Sequence, residues 1–297
     1  MKATKLNALD VKEFEIVDNS RVAIFVHWSK NDAISNHDAN LINTLALEFD
    51  QVLVVCNLNK LRNKCKNLDF QFQKNVHFSF RSNLGYDFGA YKAGLNFLRP
   101  LAPSIAEILL INNSIYKLQH SLSPLMEKVR ASNFDVTAIT NSREHQLHLQ
   151  SYFLHLKKSV VDTTDFWDWF EHLHLNDDKK VTVNRLEIPF AQNIESFGLS
   201  SGALWDFDEL SDFYFSSSAS SLLLDFRKEW GWFIGSREIL SGKTVNPTHY
   251  MWPHLLELGC PFLKKDLFRN RDLYLGIDNW ERFVSSPQMH ALVKESI

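Results

Sequence analysis

A polar, glycine-rich segment in the first third of the chain joins two otherwise ordinary elements. Residues 81–95 read RSNLGYDFGAYKAGL; they follow an alternating run at 76–80 and lead into a helical pattern at 90–98. A tight turn alone requires fewer glycines than this segment contains. The segment also supplies Asn83 and Asp87, so we expect it to hold a ligand. Asp87 could instead cap the helix that follows.

Strand and helix patterns alternate through the first 115 residues. This order predicts an α/β fold with a Rossmann-type, mostly parallel sheet flanked by helices. The apolar, strand-like runs are residues 21–28, 51–56, 76–80 and 106–111. The helical patterns are residues 40–49 and 90–98, with a basic helix or loop at 58–68.

All four predicted strand ends are polar or rich in glycine. Ligands of parallel α/β sheets bind outside the carboxyl ends of the strands, where such ends lie side by side. The sequence therefore predicts one site at this edge of the sheet. The residues at the four ends include His27, Trp28, Ser29, Asn57, Arg81, Asn83, Gly85, Asp87, Asn112, Asn113 and Ser114.

The second half of the chain mixes strand and helix patterns. Residues 148–156 and 182–186 indicate strands or extended segments, and a helix at 189–197 should end at Gly198. Further helices are predicted at 159–172 and 246–258. Because no internal repeat or clear linker is visible, we expect a single domain of residues 1–297.

Composition and motifs exclude several classes of function. A net charge of −3 gives no overall attraction to nucleic acid, and no apolar run approaches the ~20 residues of a membrane span. Three cysteines without metal-type spacing and an acidic N-terminal segment favour a cytoplasmic protein. The G-x-x-x-G spacing after the third strand differs from a dinucleotide fingerprint, and neither a phosphate-binding loop nor a nucleophile elbow is present.

Five segments, taken together in this order, resemble the rhamnan synthesis protein F family of GT-A-like glycosyltransferases. They are residues 83–92, 109–116, 148–153, 246–252 and 261–265. The resemblance implies transfer of L-rhamnose from dTDP-L-rhamnose onto a growing cell-surface polysaccharide. It implies a nucleotide-sugar-binding half at about residues 20–115. A mixed acceptor-side and catalytic half would follow at about residues 145–270.

The resemblance also implies which residues bind the donor. The glycines would let the backbone approach the nucleotide closely. His27 could equally be a buried strand-end histidine, and the basic run Lys264, Lys265 and Arg269 could be an ordinary solvated face. The expected donor-binding residues are His27, Trp28, Asn57, Arg81, Asn83, Gly85, Asp87, Lys92, Asn112, Asn113, Ser114, His249, Lys264 and Lys265.

One position departs from the family pattern. Relatives usually carry an aspartate where this chain has Asn113, and Mg²⁺ or Mn²⁺ bridging a diphosphate prefers anionic oxygens. Asn113 and His249 are the candidate metal ligands, but we expect metal binding to be weakened or absent. The basic run at Lys264 and Lys265 would then balance the diphosphate charge.

In many GT-A enzymes the general base heads a helix that ends in glycine about a dozen residues later, and Glu187 has this position before Gly198. The resemblance therefore implies Glu187 as the general base of an inverting transfer. The alternative role for Glu187 is that of a helix-terminal acid.

The implied partners are a dTDP- or UDP-linked donor and a lipid-linked glycan acceptor. Peripheral association with the inner membrane, at its cytoplasmic face, or with other polysaccharide-synthesis enzymes is also expected. The competing hypotheses are a non-catalytic nucleotide-sugar or carbohydrate-binding module and a GT-A transferase that uses another nucleotide sugar.

Overall fold

The central strand of the protein is an almost continuous apolar run. A computed structural model describes residues 14–59, 70–216, 221–226, 230–241, 245–269 and 277–297. Strand β1, Ser20–Trp28, has Val22 to Val26 fully buried, as expected of a strand that is covered by helices on both faces. Most of the basic helix or loop predicted at 58–68 lies outside the described residues.

Four parallel strands form the first half of the main sheet. β1 pairs with β2 (Gln51–Leu58) on one side and with β4 (Ile105–Asn112) on the other, and β3 (Val76–Ser82) pairs with β2. The predicted parallel α/β arrangement is therefore confirmed. Because β1, β2, β3 and β4 run in the same direction, their carboxyl ends lie at one edge of the sheet.

The second half of the chain extends this sheet with mixed pairing. The further strands are β5 (Ile115–Lys117), β6 (Val136–Ser142), β7 (His148–Leu149), β8 (Phe153–Leu156), β9 (Ser201–Trp205) and β10 (Phe262–Lys264). The strand order is β3-β2-β1-β4-β8-β6-β7, and β9 pairs with β6 in parallel. β8 is antiparallel to β4 and β6, and a separate antiparallel pair joins β5 to β10.

The α-helices cover both faces of the sheet. They are α1 (Asn36–Glu48), α2 (Tyr86–Leu98), α3 (Ser123–Ala131), α4 (Lys158–Val161), α5 (Thr164–Glu171), α6 (Lys179–Thr182), α7 (Phe190–Ser196), α8 (Phe207–Phe215), α9 (Ser221–Phe226), α10 (Trp230–Leu240), α11 (Pro247–Tyr250), α12 (Trp252–Glu257), α13 (Asp266–Arg269) and α14 (Pro287–Ser296). Short 3₁₀ segments occupy Arg99–Ser104 and Ile277–Phe283. Among the described residues, no helix combines the length and apolar composition that a bilayer crossing requires.

Alternate residues of β1 point into two separate cores. Ala23 and Phe25 pack with α1 and α3 on one face, whereas Ile24 and Val26 pack with α2 and α5 on the other. The sheet is therefore buried on both faces, and its polar groups converge at the strand ends.

Four predictions for the second half were wrong in detail. Residues 148–156 form two short strands instead of one, because a turn interrupts them before Phe153. Residues 159–172 and 246–258 each divide into two helices. The segment Val183–Glu187 is a π-helical turn instead of an extended run. The helix before Gly198 is confirmed, and Gly198 has the left-handed conformation of a helix C-terminus, with φ of +77°.

Candidate functional site

A cleft of about 240 Å³ lies at the carboxyl ends of β1, β3 and β4. The strands bring to it polar groups that lie up to about 85 residues apart in sequence. We call this space the strand-end cleft. Its lining residues are Trp28, Asn83, Tyr86, Asp87, Asn112, Asn113, Ser114, Lys179, Asp266 and Arg269.

A second space of about 450 Å³ borders the strand-end cleft. The two spaces share Trp28, Asn113 and Arg269 as a common wall. The second space lies beside the start of α1, and Lys265 is among its lining residues. The strand ends therefore converge as predicted, but the site that they form is divided into two neighbouring spaces.

The glycines of the β3–α2 segment are packed against protein atoms. Gly85 has φ of +76°, and a Cβ there would lie 2.7 Å from Cδ2 of Leu175. A Cβ at Gly89 would lie 2.1 Å from the carbonyl oxygen of Leu84. Backbone geometry and close protein contacts thus account for glycine at both positions, and no approach by a ligand is needed to explain them.

Asp87 is held at the edge of the strand-end cleft by its neighbour on β4. Its Oδ2 accepts a hydrogen bond of 2.9 Å from Nδ2 of Asn112. Burial and the nearby charge of Glu187 raise the pKa of Asp87 to about 6, although Lys264, Lys179 and the Asn112 hydrogen bond act in the opposite direction. Asp87 is therefore a carboxylate that can exchange a proton near neutral pH.

Glu187, the predicted general base, is the last residue of the π-helical turn. Its Oε1 accepts hydrogen bonds from the backbone N–H of Ser151 at 3.1 Å and from the Ser151 hydroxyl at 2.8 Å. Glu187 is close enough to raise the pKa values of Asp87 and Lys264 electrostatically. It is not among the side chains that line the strand-end cleft.

The residues after β4 make a tightly hydrogen-bonded turn. Oδ1 of Asn112 accepts from the backbone N–H of Ser114 at 3.0 Å and from its hydroxyl at 2.6 Å. Asn113 joins this turn to β1, because its Oδ1 accepts from the Trp28 N–H at 3.1 Å and its Nδ2 donates to the Trp28 carbonyl at 3.0 Å. The amide of Asn113 therefore fixes the backbone of the cleft wall.

The candidate metal pair Asn113 and His249 does not fit a metal ion. The side-chain oxygen of Asn113 already accepts the Trp28 N–H. Burial, followed by the charge of Lys264, lowers the pKa of His249 to about 4, and the positive charge of Lys264 beside this imidazole opposes a bound cation. Within the described ranges, no group of three or more His, Cys, Asp or Glu side chains is arranged to hold a metal. We assign no step to a metal, and the expectation that metal binding is weakened or absent stays a prediction.

Lysine and arginine side chains provide the positive charge of the site. Nζ of Lys264 donates to the Ser114 hydroxyl at 3.0 Å and lies 4.1 Å from the centre of the Tyr152 ring. Burial lowers the pKa of Lys264 to about 8. Lys179 and Arg269 line the strand-end cleft, and Arg269 forms an exposed pair with Asp266. Lys264 is not itself among the cleft-lining residues, but it contacts Ser114, which is, and the charges of Lys264 and Lys179 both act on Asp87.

Three of the predicted donor-binding residues lie behind the β3–α2 segment, outside the cleft lining. Nη1 of Arg81 donates to Oδ1 of Asn57 at 2.6 Å, and Nη2 donates to the Leu84 carbonyl at 2.5 Å. Burial lowers the pKa of Arg81 to about 10. Lys92 donates to the carbonyl of Leu173 at 2.9 Å. Asn57, Arg81 and Lys92 therefore support the segment from its inner side.

Two more predicted residues surround a buried aspartate on α1. Lys265 Nζ donates to Oδ1 of Asp38 at 2.8 Å, and Nε2 of His27 lies 3.4 Å from Oδ2 of the same carboxylate. His27 is buried among protein groups, in agreement with the alternative role considered for it. Lys265 lines the second space and is absent from the strand-end cleft.

Sequence reasoning missed three residues that line the strand-end cleft. Tyr86 lies within the segment 81–95, and Asp266 lies inside the predicted basic run, between Lys265 and Arg269. Lys179 begins α6, more than 90 residues after Asn83, in a stretch without a recognisable pattern. Only the fold brings Lys179 to the site.

The chain is 24% identical over 281 residues to the virulence protein VirA of Vibrio anguillarum, covering 89% of this chain and 84% of that protein. It is 28% identical over 125 residues to protein y4gN of Sinorhizobium fredii, covering 40% of this chain and 33% of y4gN.

Among solved structures, the chain is similar to galactosyltransferase LgtC in complex with donor and acceptor sugar analogues. The TM-score is 0.32 at 14% identity, over 69% of this chain and 82% of LgtC. The family model described as rhamnan synthesis protein F matches residues 52–227, which is more than half of the chain. This match includes nearly all of β2, the strands β3 and β4, and both Asp87 and Glu187. On the strength of this match, the chain belongs to the rhamnan synthesis protein F family.

Proposed function

We propose that the protein is a glycosyltransferase whose nucleoside diphosphate-sugar donor binds in the strand-end cleft. The observation that carries the proposal is the meeting of Asp87 with Lys179 and Arg269 in the cleft lining, where Ser114 also accepts a hydrogen bond from Lys264. Such an edge is the usual ligand-binding place of an open α/β sheet. Membership of the rhamnan synthesis protein F family favours L-rhamnose from dTDP-L-rhamnose as the transferred sugar.

The cations of the site suit a diphosphate. Lys264 is held by Ser114 at the end of β4, where a phosphate oxygen can replace or join the hydroxyl as its acceptor. Arg269 is exposed and lies on the wall shared by the two spaces. Charge-assisted hydrogen bonds from lysine and arginine are strong enough to hold a diphosphate. Such bonds also stabilise the negative charge that develops on the leaving nucleoside diphosphate.

Trp28 gives the donor an aromatic surface beside these cations. Its indole N–H donates to Oδ1 of Asn59 at 3.3 Å, which fixes the ring plane at the cleft wall. An indole face in that position can pack against a nucleobase or a sugar ring. The proposed donor therefore spans Trp28, Asn83 and the cations near β10.

We propose an inverting reaction. The acceptor hydroxyl loses its proton to a carboxylate, its oxygen bonds to the anomeric carbon, and the bond from that carbon to the donor phosphate breaks with its electron pair leaving on the phosphate. Asp87 and Glu187 are the two carboxylates on the α2 side of the site. The sequence predicted Glu187 as this base, but Glu187 is held by Ser151 outside the cleft lining, whereas Asp87 lines the cleft.

The acceptor and the cellular setting are further parts of the proposal. A lipid-linked glycan at the cytoplasmic face of the inner membrane fits a family named for rhamnan synthesis. The relative named as a virulence protein is compatible with a product at the cell surface. Peripheral association with other polysaccharide-synthesis enzymes would bring the donor cleft to such an acceptor.

A non-catalytic nucleotide-sugar-binding module is the second candidate. The observation that favours it is the neutral turn Asn112–Ser114, whose side chains are occupied by one another and by Trp28. Such a protein would bind the donor without turning it over. A transferase specific for another nucleotide sugar differs only in the donor that it accepts.

The test is release of nucleoside diphosphate from dTDP-L-rhamnose, UDP-glucose and UDP-galactose, each with and without a lipid-linked glycan fraction. We expect acceptor-dependent release from dTDP-L-rhamnose that persists in excess EDTA. Activity with a UDP-sugar alone would change the donor assignment. Loss of activity in EDTA with recovery in Mn²⁺ would show that a metal is required. Donor binding without release from any donor would favour the binding module.

A further inference from the structure

Two consecutive residues with left-handed backbone conformation stand directly before Asp87. Gly85 has φ of +76° and Tyr86 has φ of +50°. Glycine adopts this conformation freely, but a tyrosine there is strained. Strain of this kind persists only where surrounding contacts hold it, and it is concentrated at functional sites. The strained turn before Asp87 therefore marks this residue as a candidate functional group.

The contacts that hold this turn come from the segment before α6. The backbone N–H of Gly85 donates to the carbonyl of Asn176 at 2.9 Å, and the hydroxyl of Tyr86 donates to the carbonyl of Asp177 at 2.7 Å. Both contacts reach across about 90 residues of sequence. As a result, α2 begins at the cleft and its second residue, Asp87, lines the space.

The carboxylate of Asp87 is oriented by a contact on one of its oxygens. Asn112 donates to Oδ2, on the β4 side of the carboxylate. The charged groups that act on Asp87 are Glu187 before α7, Lys264 on β10, Lys179 on α6 and Arg81 on β3. Tyr91, one helical turn further along α2, is fully buried and donates to the Ser151 carbonyl at 2.9 Å. Asp87 is thus fixed in place while it faces the cleft.

Glu187 has a different environment. Ser151 gives two hydrogen bonds to Oε1 of Glu187, which fix the position of this carboxylate. Of the two side chains, only Asp87 is among the residues that line the cleft. The same residue, Ser151, accepts from Tyr91 with its carbonyl and donates to Glu187 with its N–H and hydroxyl. Ser151 therefore links Glu187 to the helix that carries Asp87.

We propose that Asp87 is the group that takes the proton from the acceptor hydroxyl, and that Glu187 is a positioning residue, linked through Ser151 and Tyr91 to the helix that carries Asp87. This inference rests on the proposed sugar transfer. In the step, the hydroxyl proton passes to Asp87 and the hydroxyl oxygen bonds to the anomeric carbon. The carbon–oxygen bond to the nucleoside diphosphate breaks, and Asp87 later returns its proton to water.

The two roles lead to different pH profiles. With a pKa of about 6 for Asp87, kcat/KM should fall as the pH drops through about 6 because the base becomes protonated. Glu187→Gln removes a negative charge that raises this pKa. The acidic limb of the Glu187→Gln profile should therefore move to lower pH, while the plateau rate stays within about threefold of the wild type.

The experiment compares Asp87→Asn, Glu187→Gln and Asp162→Asn over a range of pH, with calorimetric binding of dTDP as a second readout. Asp162 is exposed on the surface, where it pairs with Lys158, so its variant controls for the loss of a carboxylate. We expect Asp87→Asn to lower the transfer rate by about 10²–10⁴-fold without weaker dTDP binding. We expect the Asp162→Asn variant to match the wild type.

A transfer rate near that of the wild type in Asp87→Asn would overturn the proposal. A large loss of transfer rate in Glu187→Gln, with the acidic limb of its pH profile unmoved, would overturn it as well. If Asp87→Asn does not fold, the wild-type and Glu187→Gln profiles decide, because coincident acidic limbs contradict the proposal. A wild type that binds dTDP but transfers no sugar would contradict the proposed function itself, and the role of Asp87 as a base would fail with it.

Discussion

Asn113 on the β4 turn donates a hydrogen bond of 3.0 Å to Oδ2 of Asp38 on α1, across 75 residues of sequence. Asp38 is buried and also accepts from Lys265 at 2.8 Å. Burial alone would raise the pKa of Asp38, but Lys265 and the neighbouring histidines hold it well below its usual range. A charged carboxylate therefore fixes the amide that clamps Trp28 between the two spaces of the site.

The variant Asn113→Asp should destabilise this protein. It replaces an amide donor with a carboxylate beside Asp38, and it also removes the donor to the Trp28 carbonyl. Leaving like charges buried together costs about 3 kcal/mol of unfolding free energy at neutral pH. Urea denaturation measures the loss.

The exchange Asn113→Asp with Asp38→Asn serves as the control for this prediction. It restores one amide and one carboxylate, and we expect it to recover part of the lost stability. Equal stability of the single variant Asn113→Asp and the wild type would show that the contact between Asn113 and Asp38 is unimportant.

Glycine at position 85 should matter more for folding than glycine at position 198. Both residues have left-handed conformations, with φ of +76° and +77°. A Cβ at Gly85 meets Leu175 at 2.7 Å, whereas a Cβ at Gly198 meets nothing within 4 Å. We expect Gly198→Ala to cost about 1 kcal/mol and Gly85→Ala at least about 1 kcal/mol more.

Thermal and urea unfolding of the two alanine variants measure this difference, and the Gly198 variant isolates the cost of backbone strain. Equal destabilisation would mean that Leu175 moves aside without cost. In that case a bound ligand would become the better reason for glycine at position 85.

The parallel half of the fold was predictable from the sequence because local pattern determines it. Fully apolar runs such as Val22–Val26 have no place except a strand that is buried on both faces. Once the strands are parallel, the meeting of Asn83, Asp87 and Asn112 at one edge follows from geometry. Most of the cleft lining was therefore predictable without a structure.

The rest depends on contacts between distant segments. Gly85 faces Leu175, Asp38 pairs with Lys265, and Lys179 reaches the cleft from α6, and no local pattern indicates any of these pairings. The extended segment predicted at 182–186 became a π-helical turn because tertiary contacts can override weak local preference. The role of Glu187 similarly depends on Ser151, which only the fold brings near it.

The buried side chain of Lys117 should make the stability of the protein depend on pH. It is fully buried, and its Nζ donates to the His120 carbonyl at 3.0 Å and to the Thr44 hydroxyl, both of which are neutral. Burial lowers the pKa of Lys117 from 10.5 to about 8. Between these pH values the unfolded chain binds more protons than the folded one, so Lys117 reduces stability as the pH falls from 10.5 to 8.

The variant Lys117→Met should remove this pH-dependent penalty, which amounts to about 2–3 kcal/mol below pH 8. The measurement is the unfolding free energy of the wild type and the variant at pH 7.5 and at pH 10. The wild type should gain more stability than the variant between the two values. Parallel pH dependence would contradict the lowered pKa of Lys117.

The central claim is that the strand-end cleft binds a nucleoside diphosphate and that Lys264, which donates to the cleft-lining Ser114, contacts its phosphates. Calorimetric titration of dTDP and UDP into the wild type, Lys264→Met and Lys158→Met tests it most directly, because Lys158 is an exposed lysine paired with Asp162. A charge-assisted hydrogen bond contributes about 1.5–3 kcal/mol. We therefore expect Lys264→Met to weaken binding of the preferred nucleotide about 10- to 150-fold, and Lys158→Met to leave it unchanged. Equal affinity in all three proteins, or no binding of either nucleotide to the wild type, would contradict the claim.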